Sequence, residues 1–185
     1  MKISYYIGGI KQSQATGSIS LLQFIDSHEN TKEDMASLFT KIEMAVEMKN
    51  PALKAELKTA LPFFTPTANF NGRRKYDNII EFNPIAQLDF DGLNSDNAIE
   101  FKEYLFNHYP QIICSYLSPS RRGVKALIRI PKIEVGADIQ SGIKEYKDYY
   151  RAIESEFGNY DGFDPAPKNL VLPLYLSHDF FMYSS

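Results

Sequence analysis

The sequence predicts an α+β domain in which residues 85–185 form a split β-α-β-β-α-β core and residues 1–84 a mainly helical N-terminal part. Three observations carry this reading. Ile139, Ile143, Tyr146, Tyr150, Ile153 and Phe157 recur at spacings of three and four, the mark of an amphipathic helix, and Gly158 stands where such a helix stops. Ile85–Asp91, Ile112–Leu117 and Val124–Ile130 are apolar and strand-like, with a second helical pattern after the first of them. Leu170–Leu176 supplies a fourth such stretch, and the order of all six elements is that of a split βαβ unit.

From the N-terminus, residues 2–7 read as a short strand broken by Gly8-Gly9. Ser20 with Gln23 is a capping box opening a helix that runs to about Ser27. Thr31 with Asp34 repeats the signal ahead of Met35, Leu38, Phe39, Ile42 and Val46. Asn50-Pro51 ends that helix and starts another, with Leu53, Leu57 and Leu61 on one face, and Pro62 closes it. Residues 62–78, with Asn71-Gly72 followed by Arg73-Arg74-Lys75, read as a hairpin or loop with a basic tip. Asn97–Asn107 is a helix presenting Ile99, Phe101, Tyr104, Leu105 and Phe106. Pro173, which cannot donate to a ladder, points to an edge position for the last strand.

The split arrangement is shared by ferredoxin-like and RNA-recognition-motif (RRM-like) folds. Right-handed crossovers give its sheet the order 4-1-3-2, which places Ile85–Asp91 between Val124–Ile130 and Leu170–Leu176. The end of the first strand, the turn joining the second and third, and the start of the fourth then share one sheet edge.

A chain of 185 residues fits a single domain, and its 44% apolar and 23% charged residues exclude wholesale disorder. A net charge of −3 excludes nucleic-acid binding through overall charge, so such binding needs a local site. Cys114 is the only cysteine, so neither an intrachain disulfide nor a cysteine zinc cluster is available. No stretch approaches the roughly 18 apolar residues of a membrane span, and the expectation is a cytoplasmic protein with no membrane association.

Asp89 and Asp91 lie two apart on a strand and project from one face, where two carboxylates repel unless a cation sits between them. Oxygen ligands of this kind select Mg²⁺ or Mn²⁺. Read blandly, Asp89-Phe90-Asp91-Gly92 is a strand ending in a turn. Ser118, Ser120, Arg121, Arg122 and Lys125, in and beside the turn between two strands, supply the hydroxyls and cations that hold a triphosphate, or else an ordinary solvated turn. Asp164, just before the last strand, is the expected third carboxylate; Asp161 competes with it, and Asp179 is expected at the opposite edge. His28, His108 and His178 show no metal-ligand spacing and read as surface or capping residues, and Cys114 as a core residue.

These segments together resemble the VirE N-terminal-like domain family, of the primase-polymerase branch of the archaeo-eukaryotic primase superfamily. The resemblance rests on Leu61–Thr67 with the basic residues after Phe70, on Leu88-Asp89-Phe90-Asp91, on Ser118-Pro119-Ser120 through Gly123-Val124-Lys125, and on Asp164-Pro165 leading to Ser177-His178-Asp179. It implies a nucleotidyltransferase acting in DNA replication of a mobile or bacterial element. It further implies that Asp89, Asp91 and Asp164 are catalytic ligands of Mg²⁺ or Mn²⁺, and that Ser118, Ser120, Arg121, Arg122 and Lys125 bind the nucleotide. Arg73, Arg74 and Lys75 would touch nucleic acid. Its partners would be a nucleoside triphosphate, a single-stranded DNA template and a helicase region or partner. Two departures stand out: Lys125 where many members have histidine, and Leu172 where an arginine is expected.

Two other readings compete. In one the fold binds nucleic acid without catalysis. In the other Leu88–Leu93 is the first motif of a haloacid-dehalogenase-type phosphatase, with Asp89 as nucleophile, Asp91 as acid/base and Ser115 in a second motif on a doubly wound sheet.

Overall fold

A computed structural model describes residues 1–31, 33–134, 138–179 and 181–184, with 33 and 34 described by backbone only. The Thr31/Asp34 capping box therefore lies outside the described residues. In chain order the elements are β1 (Ile3–Tyr6), β2 (Gly17–Ile19), α1 (Leu21–Glu29), α2 (Glu33–Glu47), α3 (Pro51–Thr59), β3 (Phe63–Thr65), β4 (Ala68–Phe70) and β5 (Ile79–Phe82). There follow β6 (Ile85–Asp91), α4 (Ser95–His108), β7 (Ile112–Leu117), β8 (Gly123–Arg129), α5 (Ile139–Phe157), β9 (Leu174–Tyr175) and β10 (Tyr183–Ser184).

Local signals set the helix starts. Ser20 and Gln23 form the reciprocal capping box at α1, and Asn50 caps α3 with Pro51 in its first turn. In α5 the predicted stripe Ile143, Tyr146, Tyr150, Ile153 and Phe157 is buried, joined by Gly142. The basic segment Arg73–Lys75 lies in the connection of the β4–β5 hairpin, as expected of a basic tip.

The domain is mixed α+β with antiparallel sheets. One sheet has the order β2-β1-β3-β9, another β10-β7-β8-β6, and β4 and β5 pair as a third. Strands β6, β8 and β7 follow the predicted 1-3-2 order. The fourth strand does not. Leu170–Leu176 shrinks to β9, which pairs with β3 in the other sheet, so β6 ends its sheet rather than lying inside it. The reason is local: Ala166–Lys168 coils into a 3₁₀ turn, Leu172 N–H closes a further turn onto the Asn169 carbonyl at 2.9 Å, and Pro173 offers no N–H. Beside β6 stands a single bridge, Phe90 to Phe163, while the Gln87 carbonyl accepts from the Tyr150 hydroxyl at 3.3 Å. Pro173 does mark an edge, but of the first sheet.

The β6–β8–β7 sheet is buried on both faces. Ala86, Leu88, Phe90, Val124, Ala126 and Ile128 pack with α4 and α5. By the two-residue alternation of strands, Ile85 and Leu127 look the other way, joining Tyr116, Ile3, Phe24, Ile42 and Phe64 in a second cluster. Asp89, Asp91 and Lys125 belong to that second face.

Two side-chain expectations are corrected. In α4 Ile99 and Tyr104 are exposed, and the inward face carries Ala98, Leu105 and Lys102, the last paired with Asp179 at 2.8 Å with both side chains 3% exposed. His28 is neither surface nor cap: it is fully buried against Phe24, Phe64 and Tyr116. Burial lowers its pKa to about 4 from the ordinary 6.5, against the opposing Phe24 carbonyl bond and the charge of Asp179. A histidine whose folded pKa is lowered stabilises the fold fully above 6.5 and loses that contribution as pH falls toward 4. Wild type should therefore lose about 3 kcal/mol over that interval that His28→Phe retains, measured by urea unfolding at each pH. Parallel pH profiles would refute the assignment. Cys114 is a core residue as expected, its thiol pushed up to about 12 by burial.

Candidate metal centre

The acidic cluster forms at the end of β6. Asp89 and Asp91 project from one face, and antiparallel register sets Lys125 of β8 directly opposite Asp89 and Tyr116 of β7 opposite Lys125. The three residues make a row across three strands. The Lys125 ammonium donates to Asp89 Oδ2, with the two side chains 6% and 14% exposed.

Asp164 arrives by backbone ladder. Asp91 N–H donates to the Gly162 carbonyl and Asp164 N–H to the Asp89 carbonyl, each at 2.8 Å, so residues 162–164 run along the outer edge of β6. One carboxylate oxygen from each of Asp89, Asp91 and Asp164 lies within 4.8 Å of the others. Asp161 is exposed and outside this group, and Asp179 is committed to Lys102 and the Leu117 N–H.

Close backbone approach on both sides of Asp91 needs glycine. A Cβ at Gly123 would stand 2.3 Å from the Phe90 carbonyl oxygen, and one at Gly162, where φ is +78°, 2.1 Å from the Asp91 carbonyl oxygen. Gly162→Ala should cost about 1–3 kcal/mol in urea unfolding and weaken Mn²⁺ binding by lifting Asp164 from β6. Unchanged stability and Mn²⁺ affinity would show that the ladder does not position Asp164.

Burial raises the Asp89 pKa, the neighbouring Asp91 charge adds to the rise, and the Lys125 ammonium opposes it. Asp89 Oδ1 is buried with no hydrogen-bond partner among the described residues. Three convergent carboxylates, one with an orphaned buried oxygen, fit the oxygen ligand set of Mg²⁺ or Mn²⁺.

The turn between β7 and β8 is tight and largely internal. Ser118 N–H bonds the Gly123 carbonyl and Arg121 N–H the Ser118 carbonyl, each at 2.8 Å, with Arg121 at φ 52°. The Ser118 and Ser120 hydroxyls are buried and lie 3.2 Å apart. Arg121 and Arg122, half-buried, line a small cleft with Glu43 and Glu47 of α2, so of the three expected cations it is Lys125 that meets the acidic cluster. Arg73 and Lys75 are exposed, whereas Arg74 turns inward over the Phe63 ring at 4.8 Å and donates to the Val171 carbonyl.

Sequence reasoning missed Lys58. It lies on the last turn of α3, 5.8 Å from the centre of the Tyr175 ring, within the field of Lys125, Asp91 and Asp89. Burial and then Lys125 lower its pKa, and Asp91 and Asp89 raise it. No motif marks it, because only the packing of the N-terminal part brings α3 to this face.

The phosphatase reading finds no support in this geometry. The described strands that pair around Asp89 are antiparallel, and Ser115 is buried, donating to the Lys102 carbonyl at 2.7 Å. No helix among the described residues is long and apolar enough to cross a membrane.

No curated protein and no solved structure matches the chain. A family model described as BT4734-like, N-terminal domain, does match, over residues 56–183. That span runs from α3 through β10 and takes in the acidic trio, Lys58 and Lys125 together. The chain thus belongs to the BT4734-like N-terminal domain family.

Proposed function

We propose that this domain is a primase-polymerase-like nucleotidyltransferase that joins nucleotides on a single-stranded DNA template, with Asp89, Asp91 and Asp164 as ligands of Mg²⁺ or Mn²⁺. The observation that carries the reading is the meeting of those three carboxylates within 4.8 Å, on segments separated by more than half of the matched span. On this reading the core is the RRM-like split βαβ of the primase-polymerase and VirE N-terminal-like branch, its fourth strand reduced to the bridge at Phe163.

Divalent ions bound by the trio would lower the pKa of an attacking 3′-hydroxyl and neutralise the leaving pyrophosphate. The chain's own residues do the rest. On the sheet face that carries Asp89, Tyr116, Cys114 and Leu127 are buried, and such a dry neighbourhood strengthens charge interactions at the strand end. Lys125 neutralises Asp89, and with that carboxylate serving as a metal ligand its ammonium would be free to meet a phosphate oxygen. The Gly162–Asp164 ladder fixes the third carboxylate against the first two, and positioning of this kind supplies much of the rate in phosphoryl chemistry.

The Lys125–Asp89 ion pair also favours a second reading, in which the pair is permanent and the domain binds single-stranded nucleic acid without catalysis. Thermal unfolding with and without Mn²⁺, beside nucleotide incorporation on a single-stranded template, separates the two. Catalysis requires a Mn²⁺-dependent rise in melting temperature and incorporation, both lost in Asp164→Asn and kept in Asp161→Asn. A wild type indifferent to Mn²⁺ would overturn the metal reading.

A further inference from the structure

Lys58 stands apart from every residue so far given a role in nucleotide chemistry. As a cation on the last turn of a helix it is favoured by the helix dipole, but that role is fulfilled in water and needs no burial. Lys58 is instead half-buried, its ammonium over the Tyr175 ring at 5.8 Å and within the field of Lys125. Tyr175 in turn lies within the fields of Arg74 and Lys125, and Phe63, its partner across the ladder, carries the Arg74 guanidinium over its ring at 4.8 Å.

This gathering is held rigidly. The end of α3 is tied down by the Ile10 N–H bonding the Thr59 carbonyl at 2.8 Å, and β3 pairs Phe63 with Tyr175. Ammonium groups drawn together in a partly dry site need a counter-charge. Asp89 and Asp91 provide part of it.

We propose that Lys58 is a second phosphate-binding ammonium, closing from the N-terminal layer on the polyphosphate of a nucleoside triphosphate that Lys125 meets from the sheet. The inference rests on the metal-site reading above. With the three carboxylates serving as ligands of a divalent cation, Lys58 and Lys125 would lose part of their counter-charge, and the site would hold an excess of positive charge that matches a polyphosphate chain. Lysine suits this task as a mobile point charge on a flexible stem, and the Tyr175 face holds its ammonium less strongly than a carboxylate would.

The test is calorimetric titration of the whole chain, in Mn²⁺, with ATP and with inorganic tripolyphosphate. Lys58→Met keeps an apolar stem and should weaken both probes by about tenfold or more, whereas Lys58→Arg should stay within about threefold of wild type. Lys54→Met, one helical turn earlier, should leave both affinities unchanged, and every variant should keep the Mn²⁺-dependent thermal shift. Lys58→Met binding within about twofold of wild type overturns the proposal. A wild type that responds to Mn²⁺ yet binds neither probe also overturns it, with the metal site left standing. A wild type that does not respond to Mn²⁺ overturns the metal reading and this inference with it.

Discussion

Asp91→Asn is expected to erase the Mn²⁺-dependent rise in melting temperature while leaving the metal-free protein close to wild type in stability. The two halves of this result have one cause. Asp91 is exposed and makes no ion pair among the described residues, so its removal costs little packing; it takes away a negative charge that raises the Asp89 pKa and also supports the Lys58 ammonium, two effects that oppose each other. In the presence of metal the same charge becomes a ligand. A ligand that binds only the folded state stabilises it by about 2.7 kcal/mol at a hundred times its Kd, roughly 5–10 °C for a chain of this size. Wild type should show a shift of that order in millimolar Mn²⁺ and Asp91→Asn almost none, with nucleotide incorporation falling by about three orders of magnitude or more. If Asp91→Asn melts well below wild type without metal, the residue is structural and the site assignment falls.

Asp179→Asn should instead be costly with or without metal. Its carboxylate is the buried partner of Lys102, each side chain 3% exposed, and it also accepts from the Leu117 and Phe181 N–H groups. Removing the charge strands an ammonium in the core, an effect of about 3–5 kcal/mol for such pairs. Leu117 N–H bonds Oδ2 and Phe181 N–H bonds Oδ1, so asparagine, with a single acceptor oxygen, keeps one of these bonds, and the loss combines the stranded charge with one displaced backbone donor. Lys102→Met combined with Asp179→Asn should recover most of the stability, because no unpaired charge remains, and a double-mutant cycle in urea measures the difference. The Mn²⁺ shift should persist in the double variant. Additive losses would show that Lys102 and Asp179 are not coupled.

The parts of the site legible in the sequence were those governed by short-range rules. Asp89 and Asp91 share a face because strands alternate, and Lys125 falls near them because a tight turn, Ser118 to Gly123, joins β7 and β8. Asp164 reaches the edge of β6 that the split topology predicts, although the strand after it joins the other sheet. The segment preceding the supposed fourth strand does run beside β6, but through one bridge and two backbone bonds, and Leu174–Tyr175 then leaves for another sheet.

The amino-acid sequence by itself determined the elements whose information is local: the Ser20–Gln23 capping box, the Asn50-Pro51 helix start, the buried stripe of α5 and the acidic pair on β6. Each is decided within one turn or a few strand residues. Only the tertiary structure decided the neighbour of a two-residue strand such as β9, whose few ladder bonds carry little preference of their own. It alone brought Lys58 toward Asp91 and buried Lys102 against Asp179, 77 residues away. It also sealed His28 beneath Phe64 and Tyr116. A charge or an imidazole carries no periodic mark of where it will lie; its burial is set by which distant surfaces close over it, and that is a property of the packed chain.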